Sequence, residues 1–422
     1  MESIDNYYDE GDDEDNDDDG MVVQMVVTVV VLLFLSPLFV RQGSAVISCR
    51  NRYGTFIAYK LPKISAYGSL ASGVSLYYAD SNSLDWEDME DISSSDSAIA
   101  STLEQYYSKV DDDLVCFSAF IIYTNYDFTN GNKSLRSSKS LIQQITFTPE
   151  QDIFYLLYND EHPDGGKKDF KRGHAKGVVL FDADTGFFMV HSVPNFPSAN
   201  SYEYPESGMR NGQSFLCITM NSKSLTGLAQ HLYYIQPSIY ASQLPTDFAS
   251  LYPTLQKVIA MKPFEKRTSV YYSLQKLPSA GGVQFIGYGK YKKYGKDLYR
   301  DLVAVSLKET LYVETWLNGP GDLESSCDTK YKVFNVLSVN IDNFPFTNSK
   351  DHSKWAVTDD RYKPYICIGD INRQVSQTKR SGGTVCLKNG AMWKLFRNSI
   401  ERIEECGKPA RKNRKYYKYQ KF

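Results

Sequence analysis

Residues 351–355 read Asp351-His352-Ser353-Lys354-Trp355, DHSKW, and set a histidine and a lysine two residues apart beside a tryptophan. In an extended segment residues i and i+2 point to the same side, so the imidazole of His352 and the ammonium of Lys354 are expected to project into one space. A single His-x-Lys arises by chance, and alone it reads as an exposed strand edge. The chain holds a second: Gly173-His174-Ala175-Lys176-Gly177, whose histidine lies 178 residues earlier. Both segments abut an apolar run. An asparagine follows each at similar range, Asn195 at 21 residues after His174 and Asn372 at 20 residues after His352. Two His-x-Lys…Asn arrays in one chain are far harder to obtain by accident than one.

These residue types suit phosphodiester cleavage without a metal. The reaction needs a nucleophile, a proton for the leaving alkoxide and positive charge on the phosphoryl oxygens. One neutral imidazole can attack phosphorus and form a phosphohistidine. A second, protonated imidazole can deliver the proton. Lys176 and Lys354 would supply the charge that magnesium supplies elsewhere, and the amides of Asn195 and Asn372 would add hydrogen bonds. Neighbouring lysines also lower histidine pKa values, so a state with one charged and one neutral imidazole is expected on the acidic side of neutrality.

Composition supports this reading without forcing it. The chain has 422 residues, enough for two core-sized lobes or one large two-layer domain. Aromatic residues make up 14%, with 32 Tyr and 22 Phe, which favours a large β component. The formal net charge of −3 averages unlike parts, because residues 1–20 carry eleven acids and no Lys or Arg. Residues 46–422 hold 46 basic against 39 acidic groups, a charge of about +7 that suits a polyanionic ligand.

Residues 21–40, MVVQMVVTVVVLLFLSPLFV, form the one long apolar run, long enough for a membrane span. Gly43 and Ala45 after it offer a signal-peptidase site. The acidic start departs from the basic start of a signal peptide, and translation from Met21 or Met25 would remove the conflict. A signal anchor is the alternative, but Arg41, Arg50 and Arg52 would then place the rest of the chain in the cytosol, which fits poorly with seven cysteines. No Cys-x-x-Cys pair is present, so zinc is not expected. In an exported chain six cysteines make three disulfides and one is left over. Asn132-Lys133-Ser134 is a glycosylation sequon compatible with export.

Along the chain, alternation predicts strands in GTFIAYKLP (54–62) and GVSLYYAD (73–80). Residues 85–113 are acidic and Ser-rich, and are expected to form a surface excursion with a short helical stretch. KGVVLF and GFFMVHS read as strands joined by DADTG, a hairpin turn. SLTGLAQHLYYI (224–235) has helical spacing, SVYYSLQKL, GVQFIGYG and LVAVSLKETLYVETW read as strands, and AMWKLFRNSIERIEE (391–405) reads as a final amphipathic helix. The organisation expected is an acidic leader (1–20), a signal peptide or hydrophobic segment (21–45), two halves (46–240 and 241–410) and a basic tail (411–422).

The doubled motif resembles the phospholipase D superfamily, in which two His-Lys-Asp/Asn motifs meet across a pseudo-twofold axis. The resemblance implies a mixed α/β fold of two pseudo-symmetric halves, each a β-sheet flanked by helices, with one shared active site. A closer likeness lies in GHAKGVVLFD…GFFMVHSVPNFP, GQSFLC and DHSKWAV…ICIGDINRQ…RSGGTVC…MWKLF, which resemble the deoxyribonuclease II family from about Cys49 to Cys406. That family implies a secreted or lysosomal endonuclease that cuts double-stranded DNA to 3′-phosphate and 5′-hydroxyl ends with no metal or other cofactor. After processing it implies no stable membrane association. It also implies the pairs Cys49–Cys217, Cys327–Cys406 and Cys367–Cys386, with Cys116 as the odd thiol. Ala356 stands where many relatives carry cysteine, and the acidic leader and acidic insert are not family features.

Other residues admit two readings. His191 supports His174 or contacts phosphate, or is a hydrogen-bonded structural histidine. Asn195 and Asn372 serve the site or serve turns. Asp351 orients His352 or is an exposed strand-end acid, and His162 and His231 read as peripheral. The tail RKNRKYYKYQKF could grip DNA or solubilise the chain. Rival functions are another phosphodiesterase of the same superfamily and a secreted binding protein that has lost activity, against which both His-x-Lys pairs stand complete.

Overall fold

The structure, a computed structural model, describes residues 28–32, 46–50, 54–80, 83, 85–87, 90–111, 117–127, 136–147, 153–264 and 269–407. The acidic leader, Cys116, Asn132, the basic tail and most of residues 21–45 lie outside the described residues. The chain divides into two compact units, Met1–Gln42 with Leu114–Pro149, and Gly43–Asp113 with Glu150–Phe422. In the first, the Val-rich segment Thr28–Leu32 is a strand antiparallel to Phe117–Asp127, which also pairs with Arg136–Phe147. β-Branched residues favour that conformation. Among the described residues no helix is long and apolar enough to cross a membrane.

The second unit is mixed α/β, built on two large sheets, with no closed barrel among the described residues. One is an eight-stranded antiparallel sheet in the order Ile239–Gln243, Phe154–Asn159, Lys176–Phe181, Thr185–His191, Gln213–Asn221, Phe56–Lys60, Ser75–Asp80, Glu90–Asp91. The other has nine strands. Its path runs Phe344–Thr347, Val333–Ile341, Leu311–Glu314, Trp355–Thr358, Tyr365–Gly369, Gly382–Lys388, Gln284–Lys290, Tyr272–Pro278, with Ile400–Ile403 added to Val333–Ile341. Among the described strands of this sheet only the Leu311–Glu314 and Val333–Ile341 pair is parallel. Five strands follow the same chain order in both sheets: Phe56–Lys60, Gln213–Asn221, Thr185–His191, Lys176–Phe181 and Phe154–Asn159 correspond to Gln284–Lys290, Gly382–Lys388, Tyr365–Gly369, Trp355–Thr358 and Leu311–Glu314. The first strand of each set belongs to a hairpin (Phe56–Lys60 with Ser75–Asp80, Tyr272–Pro278 with Gln284–Lys290), and each His-x-Lys leads into a strand separated from that hairpin by two others.

One core joins the two sheets. It contains Val179, Phe188 and Leu216 from the first, Val357, Ile368 and Val385 from the second, and Leu228 and Leu232 of the helix Leu225–Ile235. Separate clusters cover the outer faces, one under the helix Ala98–Asp111 and one under the helical turns Tyr299–Val303 and Ala304–Leu307. With both faces covered, Lys176–Phe181 is buried at every position, which explains its unbroken apolar run.

Three local expectations need correction. Residues 85–113 are not a surface excursion: Ile99, Leu103, Tyr106 and Tyr107 share one helical face and are buried against the first sheet. Their i, i+4, i+7 and i+8 spacing was masked by the acids and serines before them. LVAVSLKETLYVETW is not one strand. Its first part is helical and only Leu311–Glu314 is extended, because Leu302, Val303 and Ala304 pack as a helical face on Tyr288 and Leu311. AMWKLFRNSIERIEE is not one helix. Gly390–Asn398 is helical, capped by Asn389 accepting from the Met392 amide at 2.9 Å, and Ile400–Ile403 then joins the sheet edge.

Candidate active site

Each His-x-Lys segment ends at the start of a buried strand, Lys176–Phe181 or Trp355–Thr358, and is held by the opposite sheet's segments. The His174 amide donates to the Ser381 carbonyl at 2.9 Å, and the His352 amide donates to the Gly212 carbonyl at 2.8 Å. Ser381 leads into Gly382–Lys388 and Gly212 into Gln213–Asn221, so the two contacts are counterparts across the pseudo-symmetry. A buried lysine fixes each crossing. Lys60 donates to the carbonyls of Met209 and Asn211 at 2.9 and 2.5 Å. Lys290 donates to those of Gln377, Thr378 and Arg380 at 2.8, 3.1 and 2.5 Å. Close passage demands glycine at Gly212, where a Cβ would lie 2.6 Å from Asp351 Oδ1, and at Gly173, where it would collide with the Ile235 carbonyl.

The side chains converge. His174 is only 6% exposed, and its Nδ1 lies 3.0 Å from Gln377 Oε1. His352 Nδ1 lies 2.9 Å from the Ser192 carbonyl and 3.3 Å from Gln213 Oε1. A carbonyl oxygen only accepts, so Nδ1 of His352 carries the hydrogen and the Nε2 lone pair is free. Trp316 meets the His352 ring edge-on at 5.4 Å. Lys176 is fully buried and bonded to Asp160 Oδ1, whose other oxygen accepts from Arg380 at 2.8 Å. Lys354, also fully buried, donates to the His352 carbonyl.

Electrostatics bind these groups into one neighbourhood. Burial drives both imidazoles well below their ordinary pKa. Lys354, Lys176 and His174 deepen the shift at His352, whereas the Asp160 carboxylate opposes it at His174. Burial, with Lys176 nearby, pushes Lys354 down to about 7. Burial pushes Asp160 up, but Lys176, His174 and Arg380 outweigh it and hold the carboxyl well below the usual range. Asp370 is pushed up to about 7 by burial, against the Gly383 amide and Lys176.

The remaining residues fall at different distances from this chemistry. His191 is fully buried against Phe196 and Phe215. Its Nδ1 accepts from the Val193 amide at 3.2 Å, its Nε2 has no hydrogen-bond partner among the described residues, and burial, then Lys176, push it down to about 3. Asn195 adopts a left-handed φ of 58°, and its amide donates to the His162 carbonyl at 2.7 Å, the position of a turn residue. Asn372 is buried, and its Oδ1 has no partner. Asp351 is not an exposed strand-end acid: it is fully buried, bonded to the Tyr59 hydroxyl and to the Ser353 amide at 3.0 Å. His162 Nε2 meets Ser238 Oγ at 3.0 Å, and His231 is buried beneath Gly287.

Asp160, Arg380, Gln377, Gln213, Asp370 and Glu314 were not singled out in the sequence. Asp160 stands 16 residues before Lys176 and Arg380 stands 204 after it, so no spacing rule connects them. Only the charge demand of a buried lysine calls for such a partner. Among the described residues no group of three or more His, Cys, Asp or Glu side chains could hold a metal ion.

The family Deoxyribonuclease II matches residues 48–130 and 118–406. The chain belongs to the deoxyribonuclease II family. It is 35% identical over 379 residues to "Cell-death-related nuclease 7" of Caenorhabditis elegans, covering 89% of this chain and 92% of that one. It is 33% identical over 373 residues to "Plancitoxin-1" of Acanthaster planci, covering 86% and 93%. It is 32% identical over 364 residues to "Deoxyribonuclease-2-alpha" of Rattus norvegicus, covering 83% and 91%. As a deoxyribonuclease II relative it carries three disulfides, Cys49–Cys217, Cys327–Cys406 and Cys367–Cys386. The last crosses adjacent strands in register, and Ala356 sits opposite Cys367 on its other side.

Proposed function

We propose that the protein is a deoxyribonuclease, a hydrolase that cuts double-stranded DNA internally without a metal ion. The observation that carries this reading is the crossed anchoring of two histidines. Each has its Nδ1 on a protein oxygen, no protein bond to Nε2 among the described residues, and a buried lysine two residues on. Membership of the deoxyribonuclease II family supports it. The body of about +7 supplies long-range attraction for a polyanion.

The Nε2 lone pair of one imidazole attacks phosphorus, and an N–P bond forms as the P–O5′ bond breaks. The other histidine, protonated at Nε2, gives that proton to O5′, leaving a 5′-hydroxyl. Neutral again, it takes a proton from water, which attacks phosphorus and breaks the N–P bond. The product is a 3′-phosphate, and both histidines return to their starting states. Lys176 and Lys354 hold the phosphoryl oxygens through both steps.

Acid favours this cycle. Burial and the lysines keep both imidazoles neutral near pH 7, so lowering the pH supplies the protonated partner. It also completes the charge on Lys354, which is shifted to about 7. The two halves proposed are residues 46–240 and 241–410, exported as a disulfide-bonded chain to a lysosomal or extracellular compartment. The test is plasmid nicking with chelator present across pH 4–8, with end-group analysis and phosphohistidine trapping. Acid-favoured, chelator-resistant nicking with 3′-phosphate ends is expected. An absolute requirement for magnesium overturns the mechanism.

A further inference from the structure

Phe170 is a large apolar side chain 62% exposed on the segment that delivers His174 to the site. It is not a loose loop residue. Asp169 Oδ1 accepts from the Lys171 amide at 3.2 Å, and the Arg172 amide donates to the Asp169 carbonyl at 3.3 Å. These two bonds close a turn with Phe170 and Lys171 at its tip. The Asp169 amide is tied to the Asp160 carbonyl at 2.7 Å, and the Arg380 guanidinium lies 5.5 Å from the Phe170 ring centre. The same guanidinium bonds Asp160, the partner of Lys176, and the carbonyls of Asp169 and Arg172. The tip is therefore braced on the phosphate-binding lysine.

Exposed lysines share its segment: Lys171 beside it, Lys167 paired with Asp169 at 3.1 Å and Lys168 paired with Glu161 at 3.2 Å. An exposed aromatic ring beside lysines combines a face on which a base can stack with charges that meet phosphate. Phe170 stands four residues before His174, so their Cα atoms are at most about 14 Å apart. At about 3.4 Å per step along a strand, that span corresponds to about four base steps.

We propose that Phe170 is a wedge that enters the DNA duplex beside the cleavage point, unstacking a base step while the flanking lysines hold the backbone. Apolar side chains inserted between base steps kink duplexes in this way. This rests on the active-site reading above and adds how the duplex is engaged: the bend turns the scissile phosphate toward the two histidines. The residue contacts substrate bases and takes no part in bond breaking.

The test compares the full-length protein with Phe170→Ala and Phe170→Trp on two substrates, linear duplex DNA and bis(4-nitrophenyl) phosphate, a diester too small to reach the turn. A third arm measures fluorescence of a 2-aminopurine series in duplex oligonucleotides bound to His352→Ala, with and without Phe170→Ala. We expect Phe170→Ala to lower kcat/KM on duplex about tenfold, to leave the small diester unchanged, and to be rescued by Phe170→Trp. We also expect a fluorescence rise at one step that Phe170→Ala abolishes. Equal losses on both substrates, unchanged duplex cleavage, or no fluorescence rise would overturn the wedge. If wild type cleaves neither substrate the catalytic reading fails, while the fluorescence arm still decides the wedge.

Discussion

Replacing Asp160 by asparagine removes the anion between Lys176 and Arg380, and leaves two cations facing an amide in a buried site. The carboxylate side chain is 2% exposed, so solvent cannot take over its role. Breaking a buried pair by deleting one partner costs about 3–5 kcal/mol, because an uncompensated charge stays behind. For a folded body of this size that is a fall in Tm of about 4–6 °C. The pH dependence carries the sharper test. The folded carboxyl titrates well below its ordinary range, so its contribution is full above the unfolded pKa of about 3.9. It is lost only as pH falls from there through the folded value. Differential scanning calorimetry of wild type and Asp160→Asn should show a constant gap from pH 7 to pH 5 that narrows below about pH 4. Duplex cleavage should fall as well, because Lys176 loses the partner that positions it. A gap that shrinks between pH 7 and 5, or a variant as stable as wild type, would refute the argument that this ion pair survives at the acid pH proposed for cleavage.

His174→Ala and His352→Ala should each abolish most cleavage, and the double variant should be little worse, since nucleophile and acid act as one unit; rate measurements on one plasmid preparation with chelator check this. Lys354→Ala should cost about 3 kcal/mol of transition-state stabilisation, read from kcat/KM, and should flatten the part of the pH profile near 7 that its own titration supplies. Glu314 is fully buried with neither carboxyl oxygen bonded, and burial, then Asp351, raise its pKa well above normal. A carboxyl raised on folding lowers stability as pH climbs from its unfolded value of about 4.3, so Glu314→Gln should gain stability relative to wild type at pH 7 over pH 4. Urea titrations at the two pH values measure that difference, and an equal effect at both would contradict it.

The strands nearest the chemistry were legible because burial on both faces leaves its mark as an apolar run, as in KGVVLF and GFFMVHS. LVAVSLKETLYVETW was misread for the same reason, since a buried helical face and a buried strand are both continuous apolar runs over four or five residues. The helix in AMWKLFRNS was visible, but its end was not. Ser399 and the following strand are set by pairing with Val333–Ile341, some sixty residues away.

The doubled His-x-Lys determined the reaction class to be expected, because the chemistry of a metal-free phosphodiester cleavage restricts which side chains serve and those side chains are local in the chain. The cysteine count and the charge of residues 46–422 were likewise composition, readable without coordinates. Tertiary structure alone decided which groups surround that chemistry. Asp160, Arg380, Gln377 and the Ser192 carbonyl reach the site from positions with no common spacing, brought there by the crossing of Ser381 with His174 and of Gly212 with His352. The physical reason is the desolvation of charge. A lysine buried beside a histidine must find an anion or a carbonyl within a few ångströms, and the pattern of one segment does not say which distant segment folds over to provide it.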